Sequence, residues 1–333
     1  MNVLFLGLGS AGQRHLKNLK LILGDELIPS TVSTKKFKPA ISEDLKNITQ
    51  SNVYEKYGLK IFCSSKEAFR NNPDLTIIST PSIFHFANCK EALEAKSHVF
   101  IEKPVVLKAS EINILEEIAK KNKIKISVSF QMRFTPWIKF IKNLVQSNVY
   151  GNPVYISSII SEYLPDWHPY EDYRVSYAAK KKLGGGVVIT QIHELDYLYY
   201  ILGNLNFHSG ICEKNSLLEI DVEDIGISIL TSKYKDKIIP ISLIQSYVGN
   251  PKKRELIIQF SNAKLLCDLL SGKVIIHENN NIIIKEFEFE RNQSFLEQMR
   301  IFINSLKNDI KDAPVTLKEA KVSLEIAEKI RKI

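Results

Sequence analysis

Apolar and polar positions follow two different rhythms in the two parts of the chain. Residues 3–6 are a short apolar run ended by glycines, the pattern of a buried parallel strand. Residues 11–23 carry apolar positions at helical spacing, and Gly24 supplies a stop. Residues 27–33 read as a second, weaker strand, weakened further by Pro29. Strands are then predicted over 75–79, 99–101 and 124–130, and helices over 84–95 and 109–121. Strands alternating with helices in this way imply βαβ crossovers and a doubly wound parallel sheet.

Beyond residue 130 the alternation stops. A helix over 136–146 leads into a β-branched run over 154–162, and a glycine-rich turn precedes a helix over 187–202. Strands follow over 225–231, 238–247, 254–260, 273–278 and 282–289, and two helices over 294–306 and 317–333 close the chain. Long strands separated only by turn signals suggest a largely antiparallel open sheet. The predicted fold class is α/β, with an N-terminal Rossmann-type doubly wound parallel sheet and a C-terminal α/β domain on a largely antiparallel open sheet. The domains are residues 1–130 and 131–333.

Composition changes this picture little. The 333 residues are 44% hydrophobic and 25% charged, which excludes disordered and collagen-like classes. The net charge of +8 is spread along the chain, and its densest runs, Lys35-Lys36 and Lys180-Lys181-Lys182, are short. No basic stretch is interleaved with aromatics as a nucleic-acid groove requires, so no nucleic-acid partner is expected, although the field favours a small anionic ligand. Cys63, Cys89, Cys212 and Cys267 form no C-x-x-C pair and have no histidine at ligand spacing. The expectation is no metal, buried free thiols and a reducing, cytoplasmic compartment. No apolar run approaches the roughly 18 residues of a membrane helix, and residues 3–6 are too short for a signal sequence.

Four motifs carry chemistry. Gly7-Leu8-Gly9-Ser10-Ala11-Gly12 follows a predicted strand and opens a predicted helix. Gly7 allows the tight turn, Gly9 the approach of a pyrophosphate, and Gly12 close helix–strand packing, while the helix N-terminus offers N–H groups to phosphate. The second strand is followed by Ser33, Thr34 and Lys35 rather than the carboxylate that would accept from a ribose 2′-hydroxyl, so NADP is favoured over NAD. Thr80, Pro81 and His85 lie at the carboxyl end of a strand, where such sheets bind ligands. Glu102-Lys103-Pro104 ends the next strand, and Gly184-Gly185-Gly186 leads into Thr190, His193 and Asp196, spaced to share one helix face.

Together these motifs resemble the glucose-fructose oxidoreductase and inositol 2-dehydrogenase superfamily, Gfo/Idh/MocA, over nearly the whole chain. The carriers are Gly7 to Gly12 with Arg14-His15, Thr80-Pro81 with His85, Glu102-Lys103-Pro104, and the triple glycine with His193 and Asp196. The resemblance implies a Rossmann domain for NAD(P), a second domain for substrate and oligomerisation, and hydride transfer to or from a sugar, cyclitol or sugar-nucleotide carbon. It also implies a homodimer or homotetramer built on the open sheet. Lys103 matches the family lysine that meets substrate and nicotinamide, and His193 the acid/base histidine. Arg14, Glu102 and Lys103 join the glycine turn, with Ser10 and Ala11, as cofactor contacts. The family aspartate four residues before the histidine is Ile189 here, leaving Thr190 or Gln191 to orient His193. Tyr163 to His168, with Arg174 and the triple glycine, is similar to a subgroup tied to bacterial cell-surface sugar synthesis.

The expected chemistry is oxidation of a secondary alcohol, with His193 as base and Lys103 holding the hydroxyl. Trp167 and His168 either contact substrate or pack their loop, and Arg133 either binds a substrate anion or forms an interdomain ion pair. Arg174 and Thr190 complete the expected substrate contacts. A catalytically silent sensor on the same fold, or a non-redox enzyme using bound NAD transiently, are the alternatives.

Overall fold

The computed structural model describes residues 1–333 except 43–46, 311 and 333. Eight strands and five helices account for the first part of the chain. They are β1 (Asn2–Leu6), α1 (Ser10–Leu23), β2 (Ile28–Val32), β3 (Pro39–Ile41), β4 (Ile48–Asn52), α2 (Val53–Lys56), β5 (Lys60–Phe62), α3 (Ser65–Phe69), β6 (Leu75–Ile78), α4 (His85–Glu94), β7 (His98–Ile101), α5 (Ala109–Asn122) and β8 (Ile126–Val128). Six of the strands form a parallel sheet in the order β5-β2-β1-β6-β7-β8, while β3 and β4 pair as a separate hairpin. The order reverses about β1, so the carboxyl ends of β1 and β6 open a crevice beside the N-terminus of α1. Pro29 is accommodated at the start of β2. Ile28 donates to Met1 on the β1 side, and β5 begins pairing only at Ser30, so the missing N–H of Pro29 faces no neighbour.

The second part begins with α6 (Pro136–Ser147) and β9 (Pro153–Tyr163), followed by α7 (Val187–Thr190) and α8 (His193–Leu202). Strands β10 (Asn206–Glu213), β11 (Ile225–Tyr234), β12 (Lys237–Ser246), β13 (Val248–Phe260), β14 (Lys264–Asp268), β15 (Lys273–Glu278) and β16 (Asn281–Lys285) come next, then α9 (Arg291–Lys307) and α10 (Leu317–Ile330). Eight strands form one sheet in the order β10-β11-β12-β9-β13-β14-β15-β16. Every neighbouring pair in it is antiparallel except β12 with β9. The alternation of buried and exposed residues along β11 and β12 puts Leu230, Ile239, Ile241 and Leu243 against the helices. The other face carries Ile211, Ile227 and Ile229, each at least 40% exposed.

The last two helices return to the first sheet. Met299 and Phe302 of α9 are fully buried against Phe5, Leu16 and Phe100. A buried side chain of this size contributes about 2–3 kcal/mol. Gln298 donates to the Val128 carbonyl at 2.6 Å, and the Val128 N–H donates to the Val315 carbonyl at 3.1 Å.

Several sequence expectations are corrected. The helix expected over 187–202 is broken between α7 and α8, where the Glu194 N–H donates to Gln191 rather than to Thr190. The strand expected over 124–130 shrinks to β8, and the one over 282–289 ends at Lys285. Beyond Lys285, Phe287 and Phe289 instead pack against Phe140 and Trp137 of α6. The closing helix ends at Ile330, and Ile333 lies outside the described residues. Cys63 is exposed, whereas Cys89 and Cys267 are buried as expected.

Candidate active site

The glycine turn has the shape its sequence implies. Gly7 has φ +95°, and a Cβ there would lie 2.6 Å from the Ser79 carbonyl oxygen. A Cβ on Gly12 would meet the Gly7 carbonyl oxygen at 2.3 Å, so both glycines are required by packing of the chain itself. Gly9 differs, because a Cβ there meets nothing within 4 Å. Gly9 is the N-cap of α1 and has no side-chain cap, so the N–H groups of the first turn face a cradle that a side chain would fill. Those features fit a pyrophosphate.

Residues from other elements surround this cradle. The Arg14 guanidinium lies 4.2 Å from the centre of the Phe295 ring, and burial, with Arg291 nearby, lowers its pKa to about 10. The Tyr170 hydroxyl sits beside Ser10, which brings the loop after β9 over the turn. His168 in that loop faces Arg14 and Arg291. At the end of β2, the Ser33 hydroxyl accepts from the Lys35 N–H at 3.0 Å and from Tyr54 at 2.9 Å. Lys35 and Thr34 are exposed, and Lys38 sits close enough to Lys35 for the two charges to repel.

The strand-end motifs are tied together by buried hydrogen bonds. His85 is a brace rather than a cofactor contact, because both ring nitrogens are engaged. Nδ1 lies 2.7 Å from the Pro104 carbonyl oxygen and Nε2 lies 2.8 Å from that of Thr80. The Thr80 hydroxyl accepts from Asn88. Glu102 also faces inward: its Oε1 lies 2.7 Å from His15 Nε2, and its Oε2 accepts from the Lys103 N–H. Burial would raise the Glu102 pKa, but His15, Lys103 and Ser129 hold it down to about 2.

Lys103 reaches across to the end of α7. Its ammonium donates to the Thr190 carbonyl at 2.5 Å, on the broken turn that leads to His193. Burial lowers the Lys103 pKa, and so does Arg254, while Glu102, Glu194 and Glu162 oppose the shift. His193 is buried at 8% exposure, with its ring edge-on to Phe130 at 5.7 Å. Burial, then Lys103, Arg254 and Arg291, push the imidazole pKa well down. The ring is therefore neutral near pH 7 and able to accept a proton.

Other expected substrate contacts are placed differently. The Thr190 hydroxyl is turned into the core, bonded to Tyr247 at 2.5 Å and to the Gly186 carbonyl, so only its carbonyl serves the site. Arg133 forms the ion pair, not the substrate contact. Its Nε and Nη2 hold both carboxylate oxygens of Asp196, and its Nη1 holds Glu319 at 2.5 Å. Arg174 is committed to Asp172 and Glu219 at the surface. Trp167 is half-buried and edge-on to Tyr247 at 5.4 Å. Among the described residues, no group of three or more His, Cys, Asp or Glu is placed to hold a metal ion.

Sequence reasoning gave no role to two residues the structure brings to this site. Gln131 places its amide at His193. Arg254 donates to the buried Glu194 at 2.7 Å. Arg254 follows Lys252 and Lys253 and so reads as one more surface cation, which hides it.

Residues 1–130 match the model of an oxidoreductase family with an NAD-binding Rossmann fold, GFO_IDH_MocA. Over these residues the chain is similar to the cofactor domain of that family. The C-terminal sheet extends the likeness in fold. The WlbA dehydrogenase from Bordetella pertussis, solved with NADH and UDP-GlcNAcA, superposes with a TM-score of 0.79 at 16% identity, covering 100% of this chain and 94% of that one. UDP-N-acetylglucosamine 3-dehydrogenase GnnA from Acidithiobacillus ferrooxidans gives 0.75 at 16% identity, covering 99% and 96%. Myo-inositol 2-dehydrogenase of Thermotoga maritima is 22% identical over 92% of this chain and 89% of that protein. The chain spans about half the length of other relatives. Oxidoreductase P35 of Formosa agariphila is 28% identical over 50% of this chain and 53% of that protein. Among the described residues, no helix is long and apolar enough to cross a membrane.

Proposed function

We propose that this protein is an NAD(P)-dependent oxidoreductase acting on a secondary alcohol or ketone carbon of a sugar, cyclitol or sugar nucleotide. Residues 1–130 serve as the cofactor domain and residues 131–333 as the substrate and oligomerisation domain. The observation that carries the reading is the half-buried Lys103 amine, held against the turn that presents a buried neutral imidazole, His193. The nicotinamide, when bound, supplies the acceptor or donor of hydride. Gly9 and the first turn of α1 receive the pyrophosphate. Lys103 holds the substrate hydroxyl and stabilises charge on its oxygen, while His193 accepts the hydroxyl proton during oxidation and returns it during reduction. Burial of the His193 ring keeps bulk water from competing for that proton.

Sugar chemistry is supported by the relatives named above, and a role in surface polysaccharide synthesis by the loop from Tyr163 to Arg174. Ser33, Thr34 and Lys35 at the end of β2, with no carboxylate after the strand, favour NADP. The uncovered isoleucines of the second sheet favour a homodimer or homotetramer, and the compartment is taken to be the cytoplasm. The deciding experiment incubates the purified protein with NAD or NADP and a panel of sugars and sugar nucleotides, and follows nicotinamide absorbance. Turnover on a panel member that disappears in His193→Ala supports the reading. Full turnover in that variant overturns the mechanism.

A further inference from the structure

The residue four positions before His193, Ile189, is buried in the core at 1% exposure and cannot orient an imidazole. The donors of its two neighbours are engaged elsewhere. The Thr190 hydroxyl is bonded to Tyr247, and the Gln191 amide donates to the Ser246 carbonyl at 3.1 Å. The side chain that does reach the ring comes from the other half of the chain. Gln131 opens the short 3₁₀ turn Gln131–Phe134 after β8, and its Nε2 lies 3.4 Å from His193 Nε2. Phe130, one residue earlier, supports the same ring edge-on.

We propose that Gln131 is the positioning residue for His193, holding the imidazole from the Rossmann side with an uncharged amide in place of a carboxylate. The proposal rests on His193 being the acid/base group of the proposed reaction. An amide has both a donor and an acceptor end. It can donate to the lone pair of the neutral ring or, turned over, accept from the protonated ring, so it serves both states of a group that gains and loses a proton. A carboxylate only accepts, and would favour the imidazolium. The charged groups that face His193 are Lys103 from the turn after β7, Arg254 from β13 and Arg291 from α9, all cationic. On its own helix, Glu194 is bound to Arg254. With an amide as orienter, no carboxylate among the described residues is hydrogen-bonded to the ring, which stays unprotonated and ready as a base.

The test uses the intact protein and needs no substrate for its first readout. In Gln131→Glu, the new carboxylate should raise the His193 titration midpoint, followed by imidazole NMR, by about one pH unit. A general base works deprotonated, so the acid limb of the kcat profile should move up by the same amount. Gln131→Met keeps the volume without the amide, and should lower kcat on the order of 10-fold with KM little changed, the usual loss when an orienting partner is removed. Gln131→Glu should recover kcat above its shifted limb. An unmoved His193 midpoint in Gln131→Glu, or wild-type kcat in Gln131→Met, overturns the positioning role. If either occurs while His193→Ala is inactive, only this inference fails. If His193→Ala turns over normally, the proposed mechanism fails beneath it.

Discussion

The ammonium of Lys103 donates to the carbonyl oxygen of Thr190 at 2.5 Å, joining a loop of the parallel sheet to the turn before α8. The contact exists because the helix breaks there. In an unbroken helix the Thr190 carbonyl would accept from the Glu194 N–H, which instead donates to Gln191. The break therefore leaves that oxygen to Lys103 and sets His193 at the start of a new helix.

Lys103 and His193 should then fail separately and together. His193→Ala is expected to lower kcat roughly 100- to 10,000-fold, with cofactor affinity retained. Lys103→Ala should lower it strongly, and Lys103→Arg should not rescue it, since a planar guanidinium cannot replace a compact amine. The double variant should lose less than the product of the single losses. Steady-state kinetics and cofactor fluorescence titration check all four statements.

The two kinds of glycine in the phosphate turn predict opposite outcomes. Gly9 has φ −72° and open space around its Cβ position, so Gly9→Val should fold with an unchanged melting temperature and lose cofactor binding. Gly12→Ala places a methyl group against the Gly7 carbonyl and should lower the melting temperature itself. Thermal melts with and without cofactor separate the two. Cofactor affinity at the wild-type level in folded Gly9→Val would remove the basis for placing pyrophosphate there.

Cofactor choice follows from the end of β2. NADP should bind more tightly than NAD at equal ionic strength, and Lys35→Glu should reverse the order by removing a cation and supplying an acceptor for the ribose 2′-hydroxyl. Titration of both cofactors against both proteins gives the answer directly. An NAD preference in the wild type contradicts the prediction.

Acid should weaken the fold through Glu102. Its pKa falls from the ordinary 4.5 to about 2 in the folded protein, so its charged form stabilises the fold above about pH 4.5. That contribution, on the order of 3 kcal/mol, is lost as pH drops from 4.5 through 2. Glu102→Gln should thus be less stable than wild type at pH 7, and the gap should narrow on acidification. Urea melts at pH 7, 5 and 3 measure it, and a gap independent of pH would show that the carboxylate charge contributes nothing.

The uncovered face of the second sheet predicts self-association. Ile211 pairs with Ile227, Ile227 with Ile244 and Ile244 with Ile159, an apolar row across four strands. Ile227→Lys should shift the protein to monomer in sedimentation velocity without changing its melting temperature in the monomeric state. A wild-type protein that is already monomeric at micromolar concentration would contradict this.

The parallel sheet was legible because its strands are short apolar runs framed by glycine and helical periodicity. Two of the edge strands, β5 and β10, were not. β10 has no continuous apolar pattern and carries a bulge between Phe207 and Ser209, and β5 is only three residues long. In the site, Lys103 and His193 could be named from motifs, but their partners could not. Gln131 and Arg254 reach them through tertiary packing between segments more than fifty residues apart, and local spacing says nothing about that. The helix break after Thr190 also escaped notice, because residues 187–202 keep apolar positions at helical spacing through it.

The seam between β8 and the segment before α10 bears on how the protein is made. Val128 at the edge of the first sheet is held by Gln298 and Val315, which are translated well after it. At ordinary synthesis rates, the edge of the nascent Rossmann sheet waits roughly 10–40 s for those residues to leave the ribosome. During that interval β8 is an unprotected strand on a partly built sheet, open to pairing with other nascent chains. Removal of the segment that carries Gln298 and Val315 would make that transient exposure permanent.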